Sequence, residues 1–377
     1  MVATPKRFYL LDIIRALAAF VIVLMHLKYF YLLPGGAIPA GFSVEDQIFY
    51  GVLFPIYEYG ATAVQVFFCM SGFVFFWLYR DSIGSGRTTA WEFFVYRFSR
   101  LYPLHFATLI FVAVAQWWFS DASGGHIVFG PNTSEQFVLQ LFLASEWGIG
   151  APSSFNGPIW TVSGEAAAYA LFFAMAALRF TTPRHIVLAL LLAGLVHEIN
   201  HRLGHALFFF FTGGLICAAW DLARIRFSRR TFARIFLPVS VAALVTACAI
   251  VPSLPEFDGV MLLWFVVAPL CIVVPVLVQT CWPHFGRRFA AVGDLTYGTY
   301  LLHFPIQLVI IGIAWQHGHA VEVTPVLFFA YLTAVTVGAA LVFRFLERPC
   351  QRALRTAWLK PRAPAPTHPD PRPAPVS

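Results

Sequence analysis

The sequence predicts an all-α integral membrane protein that crosses the bilayer about ten times. Composition is the first reason, because the 377 residues are 59% hydrophobic and only 11% charged, whereas soluble proteins average about 25% charged residues. Aromatic residues make up 17% of the chain, which suits lipid-facing surfaces and interfacial belts. Apolar runs of about 20 residues, the length that crosses a bilayer, recur through the sequence.

The predicted spans follow these runs in order. They cover residues 8–30, 61–79, 101–120, 160–179, 185–200, 205–220, 235–253, 259–281, 296–315 and 325–345. The fifth span is short, and the apolar piece at 137–143 is too brief to cross, so we interpret that piece as re-entrant or interfacial. If it did cross, every later span would be inverted.

Basic residues are unevenly distributed between the loops. With the N-terminus in the cytoplasm, 22 of the 25 Lys and Arg residues lie on the cytoplasmic side; Lys28 and Arg202 lie toward the outside and Arg15 lies in the membrane. The positive-inside rule therefore predicts a multi-pass protein of the plasma or inner membrane with both termini cytoplasmic. The net charge of +7 follows from this topology, and we expect no nucleic-acid partner.

The chain is expected to have two parts. Residues 1–350 form the transmembrane domain, and residues 351–377 form a basic tail rich in Pro and Ala. A segment of this composition cannot bury a core, so we expect the tail to be a disordered cytoplasmic extension.

Ionisable side chains interrupt the first span. Asp12, Arg15 and His26 lie at membrane depth, where such a side chain costs at least about 2.5 kcal/mol on insertion scales. Arg15 and His26 are eleven residues apart, so on a helix they share one face and stand about 16 Å apart along the axis. We expect this pair to face the interior, with Asp12 beside Arg15 one turn away.

The second and third spans carry two further candidates. Ser71 and Gly72 lie among aromatic residues, and close helix packing and ligand approach to the backbone are equally open interpretations. Arg97 and Arg100 share one helix face and are followed by Tyr102. Their planar donor groups suit phosphate oxygens, although simple anchoring by positive charge is the alternative.

The fourth span begins with a turn that ends in Trp160, and Glu165 lies a little over one turn further along. A carboxylate at this depth is rarely structural. Because Glu165 enters from the outer side and His26 lies near the outer end of its span, we expect them to meet as a general base and its orienting partner.

Polar side chains recur along one face of the ninth span. Tyr297, Tyr300 and His303 follow at i, i+3 and i+6, and His303 is as well explained by a satisfied core histidine as by catalysis. Three weaker patterns favour structural or unspecific explanations: the helix end at Glu347-Arg348-Pro349, the histidines at 197, 201 and 205, and six cysteines without a C-x-x-C pair. We expect no metal site and no disulfide framework.

Taken in order, these residues resemble the membrane-bound acyltransferase 3 family of O-acyltransferases, which includes O-antigen and peptidoglycan O-acetylases and macrolide acylases. The resemblance covers residues 8 to 349, and six motifs in the right order are specific although each alone is weak. The motifs are Leu11-Asp12 with Arg15 and His26, the block at 67–73, Arg97 and Arg100 with Leu-Tyr-Pro, Trp160 with Glu165, residues 297–305, and Glu347-Arg348-Pro349.

The resemblance implies an acyl-CoA donor, usually acetyl-CoA, and a hydroxyl-bearing acceptor, often a carbohydrate, with no tightly bound cofactor. The catalytic residues would be His26, as general base or transient acyl carrier, Glu165, which orients or deprotonates, and Arg15 with Asp12, which offset charge. The donor would be bound by Arg97, Arg100, Tyr102, Ser71 and Gly72. The acceptor would be bound by Trp160, Tyr297, Tyr300 and His303.

Some members of the family carry a further soluble hydrolase-like domain, for which this sequence leaves too few residues. We therefore expect it to acylate its acceptor alone or to pass the acyl group to a separate partner protein. A proton-coupled transporter is the competing class, because proton relays also use intramembrane Arg, His and Glu. A membrane scaffold is the third class, and it leaves the cost of burying Arg15 and Glu165 unexplained.

Overall fold

A computed structural model describes residue 5 and residues 7–33, 36–124, 126–148 and 154–359. The structure is 81% helical and has no strand within these ranges. The prediction of an all-α polytopic membrane protein is therefore confirmed. The part of the predicted tail beyond Leu359 lies outside the described residues.

Ten main helices follow one another along the chain. They are α1 (Tyr9–Tyr31), α2 (Tyr50–Gly84), α3 (Ala90–Trp118), α4 (Gly157–Ala177), α5 (Pro183–Ile199), α6 (His201–Arg226), α7 (Arg229–Ser253), α8 (Glu256–Cys281), α9 (Arg287–Gln316) and α10 (Pro325–Trp358). Within the described ranges, all of these except α5 are long and apolar enough to cross a membrane. Helix α5 has 17 residues and corresponds to the short fifth span of the prediction.

The directions of the neighbouring helices show that α5 returns the chain from one side of the bundle to the other. Helices α2 and α6 run parallel, because Gln65 meets His205 at 2.7 Å near one end and Arg80 bonds Asp221 at 2.9 Å near the other. Helix α4 is parallel to α2 as well, since Arg179 just beyond its end donates to the carbonyl of Gly84. The chain must therefore return from the end of α4 to the start of α6, and α5 spans about 25 Å in doing so.

Both described ends of the bundle lie on one side, which we call the basic face. Here α1 begins, α2 and α6 end and α3 begins: Phe8 contacts Trp77 and Trp220, and Trp91 donates to the carbonyl of Trp358. The other side is the opposite face. An even number of crossings follows from this arrangement, as the ten predicted spans require, while the cytoplasmic assignment of the basic face stays a prediction.

Shorter elements lie between the main helices. They are a 3-10 turn at Val44–Asp46, a helical turn at Ser120–Ser123 and a helix at Ser134–Leu141, which covers much of the piece interpreted as re-entrant. The carbonyl of Gln140 in that helix accepts a hydrogen bond from His105, halfway along α3. The helix therefore reaches into the bundle without crossing it.

The predicted start of the disordered tail at residue 351 is wrong. Helix α10 passes through a π-helical turn at Phe343–Glu347 and continues as a regular helix over Arg348–Trp358. Packing explains the extension, because Trp358 contacts Trp91 and Phe98 of α3. Composition alone did not indicate that an aromatic anchor would dock this segment.

Small residues bring α2 and α6 into close contact. A Cβ atom added to Gly72 would lie 1.7 Å from the carbonyl oxygen of Phe210, and one added to Gly213 would lie 1.8 Å from that of Cys69. Close approach through glycine is typical of packed membrane helices. Of the two interpretations left open for Gly72, helix packing is the one that the structure shows.

The variant Gly72→Ala should lower the thermal unfolding midpoint of the detergent-solubilised protein, because the two helices must separate to admit a methyl group. Overpacking of this kind costs about 1–3 kcal/mol or more. Gly194→Ala in α5 is the matched control, since a Cβ there has no atom within 4 Å. Equal midpoints for the two variants would contradict the packing role.

A reporter that is active only outside the cytoplasm tests the topology. Fused after Ser377 it should be inactive, and fused to a chain truncated after Thr133 it should be active, because α3 ends at the opposite face. Activity of the Ser377 fusion would overturn the cytoplasmic assignment of the basic face.

Candidate active site

An internal cavity of about 170 Å³ lies between α1, α2, α3, α4 and α9. Residues from five separate stretches of sequence meet in it. Of the residues singled out from the sequence, it is lined by Arg15, Ser71, Arg97, Arg100, Glu165, Tyr297 and Tyr300. It thus collects both the predicted donor-binding arginines and part of the predicted catalytic group.

Local sequence positions the two arginines of α3. A capping box starts the helix, in which the amide of Thr89 donates to the Glu92 carboxylate and the amide of Glu92 donates to the Thr89 hydroxyl. Arg97 and Arg100 then follow about two and three turns into the helix and face the cavity together.

The two arginines differ in their partners. Arg100 forms an ion pair with Glu347, with its Nη1 3.5 Å from Oε2, and that carboxylate is 1% exposed. Arg97 donates to the Tyr79 hydroxyl at 3.0 Å and lies over the Phe75 ring, while its buried Nε has no hydrogen-bond partner in the described chain. Arg97 therefore retains donor capacity for an anion.

Among the described residues that line the cavity, Glu165 is the single carboxylate. It interacts with the hydroxyls of Tyr169 and Ser71 and with the charges of Arg15 and Arg97. The Tyr169 and Ser71 hydroxyls are 3.2 Å apart. The lining therefore carries three arginines and one glutamate, and its net charge is positive.

Arg15 also has an acidic partner on the side of the basic face. Its Nη1 lies 3.5 Å from Oδ1 of Asp12, whose Oδ2 accepts from Arg7 Nε at 2.7 Å. Asp12 is thus the neighbour of Arg15 that the sequence predicts, at the basic face and outside the cavity lining.

His26 and His303 form a pair near the opposite face. Nδ1 of His26 lies 2.7 Å from Nε2 of His303, and the two rings are stacked with centroids 5.0 Å apart. Nδ1 of His303 lies 2.5 Å from the carbonyl oxygen of Tyr300. His303 is fully buried, and Gln307 donates to the carbonyl of His26.

These contacts determine the tautomers of the neutral rings. A carbonyl only accepts, so Nδ1 of His303 must carry its hydrogen and Nε2 of His303 must accept. Nδ1 of His26 then donates to that nitrogen, which leaves Nε2 of His26 with a lone pair. No residue in the described ranges hydrogen-bonds to this atom, and such a nitrogen is a ready general base.

The expected pairing of His26 with Glu165 is wrong. The histidine pairs with His303, and the charges nearest Glu165 belong to Arg15 and Arg97. The reason is depth: Glu165 lies far enough into α4 to reach the level of Arg15, about 16 Å from that of His26.

Tyr300 separates the two groups. Its hydroxyl donates to the carbonyl of Pro158 at 2.8 Å and lies 2.8 Å from that of Thr161. Tyr300 lines the cavity, whereas His26 and His303 lie about one turn beyond its end. Tyr297 also lines it and donates to the carbonyl of Leu101.

Three other predicted residues lie away from the cavity. Gly72 faces α6, as described above. Tyr102 stacks on Phe98 with centroids 4.4 Å apart, because two residues beyond Arg100 correspond to a rotation of about 200° around α3. Trp160 has the Arg202 guanidinium over its ring at 5.3 Å.

Sequence reasoning missed Tyr169 and Thr161, which both line the cavity. Tyr169 had a detectable signal, since it lies four residues after Glu165 and hence on the same face of α4. It also missed Arg355, whose Nε donates to the Ser99 hydroxyl at 3.0 Å. No local pattern indicates that contact.

Two other features offer no comparable chemistry. A larger cavity of about 570 Å³ between α3, α9 and α10 has an almost wholly apolar lining and no ionisable group. The rings of His197, His201 and His205 lie near one another. Within the described ranges, no three His, Cys, Asp or Glu residues are placed to hold a metal ion.

These features define a polytopic membrane protein with an internal, arginine-rich cavity and a histidine pair beyond it. The chain belongs to the acyltransferase 3 family, because the profile of that family, described as an acyltransferase domain, matches residues 8–345. The family expected from the sequence motifs is therefore confirmed.

Two curated proteins are similar to parts of the chain. Acyltransferase MdmB of Streptomyces mycarofaciens is 33% identical over 130 residues, which is 34% of this chain and 31% of that protein. Protein 2 in picA locus of Rhizobium radiobacter is 35% identical over 109 residues, 29% of this chain and 46% of that protein. The chain thus spans less than half the length of either relative. No solved structure matches it.

Proposed function

We propose that this protein transfers an acyl group, with acetyl-CoA as the usual donor, to a hydroxyl of a carbohydrate or other acceptor. The observation that supports this most directly is that the two ends of the site, along the membrane normal, carry different chemical groups. Arginine donors without a full set of partners lie at the basic-face end, and a histidine with a free ring nitrogen lies near the opposite face.

The donor would enter from the basic face, which we take as cytoplasmic. Arg97 and Arg100 line the cavity there, and planar guanidinium groups bind phosphate oxygens bidentately. The pantetheine arm, long and thin, would extend through the cavity past Ser71 and Glu165. Its thioester would then approach His26 once the Tyr300 side chain gives way.

His26 would act as the general base. Its Nε2 would take the proton of the acceptor hydroxyl while the acceptor oxygen bonds to the thioester carbonyl carbon. The carbon–sulfur bond would break, and the proton would pass from His26 to the leaving thiolate, giving an ester and free CoA. A transient acyl group on His26 is the alternative form of the same chemistry.

The remaining residues would support these steps. His303 would hold His26 in the tautomer with a free Nε2, and Arg15 with Asp12 would offset charge along the path. Glu165 lies at the level of the arginines, so an orienting role toward the donor suits it better than deprotonation of the acceptor. Trp160 would contact the acceptor at the opposite face of the bilayer. The acyl group would pass to this acceptor directly or through a separate acyl-accepting protein.

The decisive experiment incubates the purified full-length protein in nanodiscs with acetyl-CoA and follows the release of free CoA thiol, as the acetyl group passes to an added hydroxyl compound or to water. Release that depends on the protein supports the proposal. A proton-coupled transporter, the competing class, would release none, whether or not it moved protons in liposomes.

Replacing His26 should abolish transfer without unfolding the protein. His26→Ala removes the base, and general acid-base assistance is worth about 10² to 10⁴ in rate. Binding of acetyl-CoA and the unfolding midpoint should stay close to those of the wild type. Wild-type transfer rates in a normally folded His26→Ala protein would contradict the assignment.

Two variants at His303 test its positioning role. The amide oxygen of His303→Gln can still accept from His26 Nδ1, whereas His303→Leu cannot. We expect Gln to retain at least about tenfold more kcat than Leu, with similar donor KM values. Equal kcat values for two folded variants would make His303 a packing residue only.

Arg97→Ala and Arg100→Ala should weaken donor binding more than they slow chemistry, because phosphate contacts made in the ground state act as uniform binding. Hydrogen bonds to charged groups contribute about 1.5–3 kcal/mol, so each loss should raise the donor Kd at least about tenfold. Arg230→Ala, an exposed arginine on the same face, is the control. Unchanged acetyl-CoA affinity in both variants would leave only a membrane-anchoring role.

A further inference from the structure

We infer that Arg355, on the last turns of α10, is a third phosphate-binding residue that recognises the ribose 3′-phosphate of the CoA donor. The inference rests on the proposed function and extends it, because it names the group of the CoA donor that the protein recognises. It assigns a binding role to a segment that composition alone predicts to be a disordered tail.

Arg355 lies next to the two arginines of α3. Its Nε donates to the Ser99 hydroxyl at 3.0 Å, and Ser99 stands between Arg97 and Arg100 in the sequence. Its guanidinium group lies over the Tyr96 ring at 5.4 Å. The charges of Arg97 and Arg100 are close enough to act on it unfavourably. The Arg355 guanidinium group therefore lies beside the stretch of α3 that carries Arg97 and Arg100, near the basic-face end of the cavity.

The acids near this cluster do not balance it. Glu347 pairs with Arg100, while the hydrogen-bond partners of Arg355 in the described chain are the neutral side chains of Ser99 and Gln351. Arg97 likewise bonds a hydroxyl, and its Nε is buried without an acceptor. Glu165 also acts on Arg97, but it is shared with Arg15, so the positive charge is in excess. An excess of like charge favours the binding of an anion, and a polyanion most of all.

The fold holds Arg355 in this position. Trp91 donates to the carbonyl of Trp358 at 2.9 Å, and the Trp358 ring lies 5.8 Å from that of Trp91 and 5.5 Å from that of Phe98. These contacts dock the end of α10 on α3. The approach of Arg355 to Arg97 and Arg100 is thus maintained by packing despite their mutual repulsion.

Arg355 lies farther from the cavity than Arg97 and Arg100, as the 3′-phosphate of CoA lies farther from the thioester than the diphosphate does. Arg97 and Arg100 line the cavity, whereas Arg355 lies outside the lining, beside Tyr96 and Ser99 on the neighbouring face of α3. In CoA the diphosphate lies between the pantetheine arm and the adenosine, and the 3′-phosphate lies at the far end from the thioester. With the thioester innermost, the diphosphate meets Arg97 and Arg100 and the 3′-phosphate meets Arg355.

The test compares acetyl-CoA with 3′-dephospho-acetyl-CoA, using the full-length protein in nanodiscs. The wild type should bind acetyl-CoA at least about tenfold more tightly, the value expected for one charge-assisted contact. Arg355→Ala should remove most of this preference by weakening acetyl-CoA alone, and Arg355→Lys should keep part of it. Arg352→Ala is the control, because Arg352 is exposed on the same helix and should leave the preference unchanged.

Binding of adenosine 3′,5′-bisphosphate gives a readout that needs no acyl transfer, and unfolding midpoints check that each variant is folded. The inference is overturned if Arg355→Ala weakens both donors equally, if the folded variant keeps the wild-type preference, or if the wild type shows no preference. If Arg355→Ala does not fold, a reduced preference in the folded Arg355→Lys variant supports the inference, and a full wild-type preference in that variant contradicts it. A wild type that binds neither donor refutes the proposed function itself, and this inference with it.

Discussion

The high cost of ionised side chains at bilayer depth is the constraint on which the rest of the structure depends. Asp12 and the charge of Glu165 stabilise the ionised form of Arg15, and the buried Glu347 stabilises that of Arg100. Arg97 is stabilised by the Tyr79 hydroxyl, the aromatic rings of Phe75 and Tyr79 and the charge of Glu165. The helices therefore enclose a polar path with an excess of positive charge within an otherwise apolar core.

Close packing of α2 on α6 places one wall of that path. Gly72 meets the backbone of Phe210, while Ser71, about 100° around the same helix, lines the cavity beside Tyr169. A larger residue at the contact would separate the helices and displace the serine from the cavity. Two adjacent small residues thus have different roles, one in packing and one in the site.

The path has two chemically distinct ends, and the separation suits transfer across a membrane. Guanidinium groups from α3 and α10 gather at the basic face, whereas the histidines come from α1 and α9 and meet near the opposite face. Tyr300 lies between them and bonds the backbone of Pro158. The proposed reaction uses this separation, because the phosphates of the donor are held at one end while its acyl group reacts at the other.

The sequence by itself determined the helical membrane class, nearly all the helix positions, the family and most of the polar residues that line the cavity. Length, hydropathy and spacing within one helix are local properties, so they predicted that Arg97 and Arg100 share a face and that Asp12 lies beside Arg15. The tertiary structure alone decided the contacts between distant segments. His26 with His303, Gly72 with Phe210 and Arg355 with Ser99 are separated by 277, about 140 and 256 positions, and such pairs depend on helix depth, rotation and packing, which no local pattern encodes.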